Sequence, residues 1–178
     1  MVVITVGGPP GSGTSTVCRL LKDKTGFDYI YAGQIFRDMA KEKNLSISEF
    51  GKLCEEDPEV DRDLDRRMLD IARESSDIIL EGRMTGPLCK KEGVRAFKVY
   101  LDARPSVRAE RLMERDGGEI EEVIRIMMER EDSERKRYLN YYGIDPTLPE
   151  FYDLVIDSSE ISPKEEMEII LEGLEGRS

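Results

Sequence analysis

Residues Val2–Thr16 read VVITVGGPPGSGTST, an apolar run that breaks into glycines and prolines and then into hydroxyl side chains. The β-branched run is a buried strand by its composition. The glycines let the following loop turn backbone N–H groups inward as a nest for phosphate oxygens, and the next helix adds positive potential from its N-terminus. The template G-x-x-x-x-G-K-[ST] is met at Gly8, Gly13 and Ser15, but Thr14 stands where the template has lysine. That lysine is a point charge on the β- and γ-phosphates, so its work falls to other cations.

The chain has 178 residues, 39% hydrophobic and 37% charged, which suits one soluble domain. A net charge of -11 argues against nucleic acid or anionic membrane as partners, so an anion site must be a local arginine cluster. No histidine is present, which removes the commonest general base and the usual zinc ligand. Arginine, carboxylate and metal remain, an inventory that suits phosphoryl transfer. Cys18, Cys54 and Cys89 are odd in number and widely spaced, as expected of reduced thiols. No apolar stretch approaches the length of a membrane span, and residues 2–6 are too short for a signal peptide, so a cytoplasmic location is expected.

Apolar runs at 2–6, 78–80, 99–101 and 154–156, with a weaker one at 28–31, alternate with helical patterns. This alternation predicts an α/β fold with a parallel sheet covered on both faces. Helices are expected at 15–24, 57–73, 105–115 and 120–138. Ser46 with Glu49, Asp57 before Pro58, and Ser162-Pro163 with Glu165 are helix-start signals. The helical stretch between the second strand and Asp77 exceeds what a crossover needs and can hold a second substrate. Asp116-Gly117-Gly118 reads as a hinge, and the tail after Leu174 as frayed.

In DIILEGRMTG, residues 77–86, a strand ends on Glu81, followed by Gly82 and Arg83. A carboxylate there can hold magnesium directly or through water, or can cap a neighbouring N–H. Arg83 can fork onto a phosphate. In YAGQIFR, residues 31–37, Gly33 lies at a helix N-terminus with Arg37 one turn on, a second anion position. The run EREDSERKRY, residues 129–138, carries Arg130, Arg135 and Arg137. Arg130 and Arg137 share a face, yet Arg130 with Glu134 and Glu131 with Arg135 also have the spacing of a self-paired solvated helix. Arg111 and Arg115 either flank a nucleotide site or are exposed helix charges.

The ordered set GGPPGSGTS, YAGQIFR, LEGRMTG, YLDARPSVRAERL and REDSERKRYLNYYGID resembles the nucleoside monophosphate kinases, most closely the short cytidylate kinases of the archaeal type. The resemblance covers essentially the whole chain. It implies a three-layer P-loop kinase fold with a five-stranded parallel sheet of order 2-3-1-4-5. The core would be 1–32, 77–115 and 149–178, with a monophosphate-binding insertion at 33–76 and a lid at 116–148. It implies transfer of the γ-phosphoryl group of ATP to CMP or dCMP with Mg2+, in a monomer whose partners are these small nucleotides. Gly7, Gly8, Pro9, Pro10, Gly11, Ser12, Gly13, Thr14 and Ser15 would wrap ATP, with Arg111 and Arg115 beside it. Ser15 and Glu81 would serve the metal, and Gly33, Arg37 and Arg83 the acceptor phosphate. Arg83 with the lid's Arg130, Arg135 and Arg137 would act on the transferred group. Cytidylate kinases often carry Gly-Arg-Asp after the third strand, whereas Met84 follows Arg83 here. Adenylate or uridylate kinase, or a silent nucleotide sensor, are the competing readings.

Overall fold

The computed structural model describes residues 2–176. Five strands, β1 (Val3–Gly7), β2 (Asp28–Tyr31), β3 (Ile78–Glu81), β4 (Phe97–Asp102) and β5 (Leu154–Asp157), form one sheet in the order β2-β3-β1-β4-β5. Every pairing is parallel, as the expected 2-3-1-4-5 order requires. The order reverses around β1, which is where such sheets bind ligands at their carboxyl edge. Register sets the site: Val6 of β1 and Tyr31 of β2 both lie abreast of Glu81, and Gly7 lies abreast of Tyr100.

Successive β1 side chains alternate between two cores. Ile4 and Val6 pack with Val17 and Leu21 of α1 (Thr14–Thr25) and Ile170 of α8 (Pro163–Glu175). Val3 packs with Leu80, with Met68 and Leu69 of α4 (Pro58–Glu74), and with Leu88 of α5 (Thr85–Lys91). Between β2 and β3, α2 (Ala32–Glu42), α3 (Ile47–Glu56) and α4 enclose a small core of their own around Met39, Phe50 and Val60. The start signals act as read. Ser46 and Ser162 make reciprocal capping boxes with Glu49 and Glu165, and Asp57 accepts from the Glu59 N–H at 3.0 Å.

Three features differ from the sequence reading. Helix α5 is an addition, hidden because TGPLCKK is only two turns long and carries glycine and proline. After α6 (Pro105–Asp116), the long α7 (Ile120–Tyr142) carries the aromatic stretch after Tyr138 as helix and stops at Gly143, whose φ of 65° is the left-handed C-cap. At the tail, Glu175 is still helical, while Arg177 and Ser178 lie outside the described residues. Gly117 and Gly118 join α6 to α7 at φ 78° and 99°. All three cysteines are free buried thiols, and among the described residues no helix is long and apolar enough to cross a membrane.

Candidate functional site

Gly7 ends β1 and Thr14 opens α1, so the glycine-rich loop lies at the carboxyl edge of the sheet beneath a helix N-terminus. Geometry dictates glycine at Gly8 and Gly13 in particular. A Cβ on Gly8 would stand 2.3 Å from the Leu101 carbonyl oxygen, and Gly13 holds φ at 96° directly before the helix. The N–H groups of Thr14 and Ser15 fall in the first turn of α1, where a helix supplies no acceptor, which leaves them to an anion.

Glu81, buried at the end of β3, faces this helix start. Its Oε1 accepts from Thr14 Oγ1 and Ser15 Oγ, both at 2.7 Å, and its Oε2 accepts from the Tyr29 hydroxyl. Three neutral donors thus orient a buried carboxylate that would otherwise be costly. Burial, and then the bond to Glu81, hold the Tyr29 phenol above its usual range. Thr14, standing in the lysine position, therefore reaches the strand-end acid. Tyr29 carried no signal in sequence beyond its place on the weaker strand.

Two arginines of α6 brace the loop from the side. Arg111 donates from Nη1 to the carbonyls of Ser12 (3.3 Å) and Gly11 (3.5 Å), and it bonds Ser158 Oγ (3.0 Å) and O (2.7 Å). Arg108, not singled out in sequence, is buried and donates to Pro10 O (3.2 Å), to Ala103 O (3.0 Å) and to Glu131 of α7. Arg115 is turned elsewhere: its exposed side chain pairs with the adjacent Asp116 at 2.7 and 2.5 Å.

Arg83 follows Gly82 and donates from Nε to Gly8 O at 3.2 Å and from Nη1 to Glu134 of α7. Burial pulls its guanidinium down to about 10, with the nearby charge of Arg130 acting the same way, so it stays cationic at neutral pH and requires an anion. Arg130 Nε donates to the other oxygen of Glu134 at 3.0 Å. A cavity of about 160 Å³ lies between the loop and α7, with Pro9, Pro10, Arg83, Tyr100, Glu134 and Arg135 in its walls.

The self-paired helix expected from i,i+4 spacing is half present. Arg130 keeps Glu134, but Glu131 goes to Arg108 and Arg135 goes to Asp145 at 2.9 Å. Arg137 also has a partner other than the one expected: its Nη1 donates to Asp61 of α4 at 2.6 Å. The reason is distance along the rod. Arg130 and Arg137 share a face but sit about 10 Å apart along the axis, so one stripe meets two different neighbours. Beside it Tyr142 donates to Asp65 at 2.6 Å, and burial drives the Asp65 carboxyl up to about 7. Beyond β2, Gly33 is in the first turn of α2, and Arg37 lies 5.0 Å over the Tyr31 ring with a 3.1 Å bond to Gln34. Among the described residues Arg37 has no ion pair.

Behind the loop, Glu166 of α8 is buried, its Oε2 has no hydrogen-bond partner among the described residues, and a Cβ on Gly13 would stand 4.0 Å from that oxygen. Burial pushes its carboxyl from 4.5 up to about 7, against the pull of Arg111. Between those values the folded state holds a proton that the unfolded chain has released, so this group's stabilisation is lost as pH rises through the window. Glu166→Gln removes the titration. Its stability relative to the parent should improve by on the order of 2 kcal/mol between pH 5 and pH 8, read by urea unfolding. Parallel pH dependence in the two proteins would refute the assignment.

A family model described as cytidylate kinase-like matches residues 3–160. A cytidylate kinase of Pyrococcus abyssi is 48% identical over 163 residues, spanning 92% of this chain and 88% of the relative. One of Methanopyrus kandleri is 45% identical over 176 residues, spanning 95% and 91%. Among solved structures, shikimate kinase from Acinetobacter baumannii in complex with shikimate has a TM-score of 0.64 at 15% identity over 100% of this chain and 95% of that one, a likeness of fold. With the loop, its strand-end acid and two such relatives in agreement, the chain belongs to the cytidylate kinase-like family.

Proposed function

We propose that the protein is a cytidylate kinase of the cytoplasm, moving the γ-phosphoryl group of ATP to CMP or dCMP to give ADP and CDP or dCDP. One observation carries the reading beyond family membership: Arg83, just after β3, and Arg130, on α7, converge on one carboxylate, that of Glu134, while Arg83 also bonds Gly8 of the phosphate loop. A nucleotide binder without transfer chemistry has no need of two such cations.

In this reading Gly7–Ser15 wrap the ATP phosphates, braced by Arg108 and Arg111. Gly33, Arg37 and Arg83 receive the acceptor phosphate. One of its oxygens attacks the γ-phosphorus while the bond to the ADP oxygen breaks, and since that phosphate is already ionised near pH 7 no general base is required. Charge developing on the transferred group is met by Arg83 and Arg130, with Arg135 on the cavity wall once it leaves Asp145. Arg137 supports the same helix by holding Asp61. The separate core around Phe50 favours treating 33–76 as the acceptor-binding unit, and the glycine pair at 117–118 favours 116–148 as a lid.

Magnesium fits the residues present. Ser15 Oγ and the Glu81 carboxylate are hard oxygen donors converging at the loop, and no group of three or more His, Cys, Asp or Glu among the described residues could hold a metal unaided. Ser15 would be a ligand and Glu81 a ligand or an acceptor for a bound water, the remaining positions being filled by water and phosphate oxygens. When bound, the ion neutralises charge on the phosphates.

A coupled assay of ADP release over CMP, dCMP, UMP and AMP tests the reading. CMP and dCMP should be the best acceptors. An AMP specificity constant tenfold above that of CMP would move the assignment to adenylate kinase, and absence of turnover with every acceptor would move it to a nucleotide sensor.

A further inference from the structure

Arg83 and Arg130 end on the two oxygens of one carboxylate. Glu134 Oε2 accepts from Arg83 Nη1, and Oε1 accepts from Arg130 Nε at 3.0 Å. The Glu134 side chain is only 11% exposed, against 59% for Arg130 and 23% for Arg83, so the acid is the deepest member of the triad. A planar anion with two oxygens bridging two guanidinium groups is the arrangement a phosphate would take up between the same arginines. Three residues earlier on α7, Glu131 does the same to Arg108, which is itself fixed on the Pro10 carbonyl. The helix thus lays two carboxylates along the phosphate loop, each on an arginine that is anchored to a loop carbonyl.

We infer that Glu134 is a built-in competitor of the acceptor phosphate. Its carboxylate fills the anion position shared by Arg83 and Arg130, neutralising the half-buried Arg83 and the exposed Arg130, and the incoming phosphate displaces it. Glu134 thereby determines the affinity of the acceptor site, because apparent affinity is scaled by the fraction of molecules in which that position is free. It also makes the position of α7 depend on occupancy, since the helix gives up a bond to Arg83 when the phosphate takes it. The inference rests on the reading that Arg83 holds the acceptor phosphate.

Equilibrium binding of CMP, and of cytidine as the probe lacking a phosphate, to the parent, Glu134→Gln, Glu134→Asp and Arg83→Ala separates the possibilities. The amide keeps the shape but loses the charge, so Glu134→Gln should bind CMP about tenfold more tightly with cytidine unchanged. The shorter acid cannot span both arginines, and Glu134→Asp should gain about threefold, which keeps the test available if the amide variant does not fold. A second readout is thermal: free Glu134→Gln should melt below the parent and gain more from CMP, because its unpaired guanidinium groups await an anion. CMP affinity that is unchanged or weaker in both Glu134 variants overturns the inference and makes Glu134 a support for Arg83. Loss of CMP binding in Arg83→Ala alongside that result leaves the acceptor-site reading standing, whereas unchanged CMP binding in Arg83→Ala overturns both.

Discussion

Arg83→Ala should lower kcat/KM for CMP by about a thousandfold, on the order of 4 kcal/mol of transition-state stabilisation. The magnitude follows from where the group sits. Its guanidinium is partly buried, is bonded to both the loop carbonyl of Gly8 and the acid of α7, and faces the cavity between them. In the proposed function, removing it deletes a charge-assisted contact to the phosphate, and it strands Glu134 beside Arg130 alone. Arg83→Lys should recover little, because an ammonium cannot donate in two directions from one plane. Steady-state kinetics over a CMP series at saturating ATP, with urea unfolding to confirm the fold, provide the check. A loss below tenfold in both variants would remove Arg83 from the reaction.

For Glu81→Gln a loss of about a hundredfold in kcat is expected, together with a higher magnesium requirement. The amide can accept only through its oxygen, so its NH2 would face one of the hydroxyl donors, Thr14 and Ser15 or Tyr29, that now share the carboxylate. The comparison that isolates the acid is Thr14→Ala. That change removes one of three donors and no charge, and should cost less than about tenfold. Titrating magnesium against both variants at saturating nucleotides distinguishes them. A Thr14→Ala enzyme as impaired as Glu81→Gln would give the hydroxyl a direct part in transfer and end the idea that arginines stand in for the absent lysine.

The parts of the site that sequence made legible are those whose geometry is local. A strand followed by spaced glycines can only be a tight loop, and a buried run ending in Glu81-Gly82-Arg83 must deliver an acid and a base at the sheet edge. The strand order was within reach because parallel strands joined by helices have few arrangements, and the resemblance selected one. What stayed hidden was set by contacts distant in sequence. Glu131 has equal claim on Arg135 by helix spacing, and only the packing of α6 on α7 gives it to Arg108. Arg137 looks like a phosphate ligand until α4 supplies Asp61, 76 residues away. Arg108 and Glu134 read as ordinary helix charges because nothing in their neighbourhoods announces which charge lies across the gap.

Helix α7 runs unbroken over 23 residues, about 34 Å at the usual rise. Its two ends are held differently: beyond the N-terminal end lie Gly117 and Gly118, while the C-terminal half is fastened to α4 through Arg137 and Asp61 and through Tyr142 and Asp65. A rod fastened at one end and joined through two glycines at the other has the form of a lever. In the proposed kinase, a shift of α4 on acceptor entry would be carried along the shaft to Arg130 and Glu131, and closure over the donor would be carried back. Under that proposal the two substrates would share one moving part, and neither half of the cleft would settle without registering in the other.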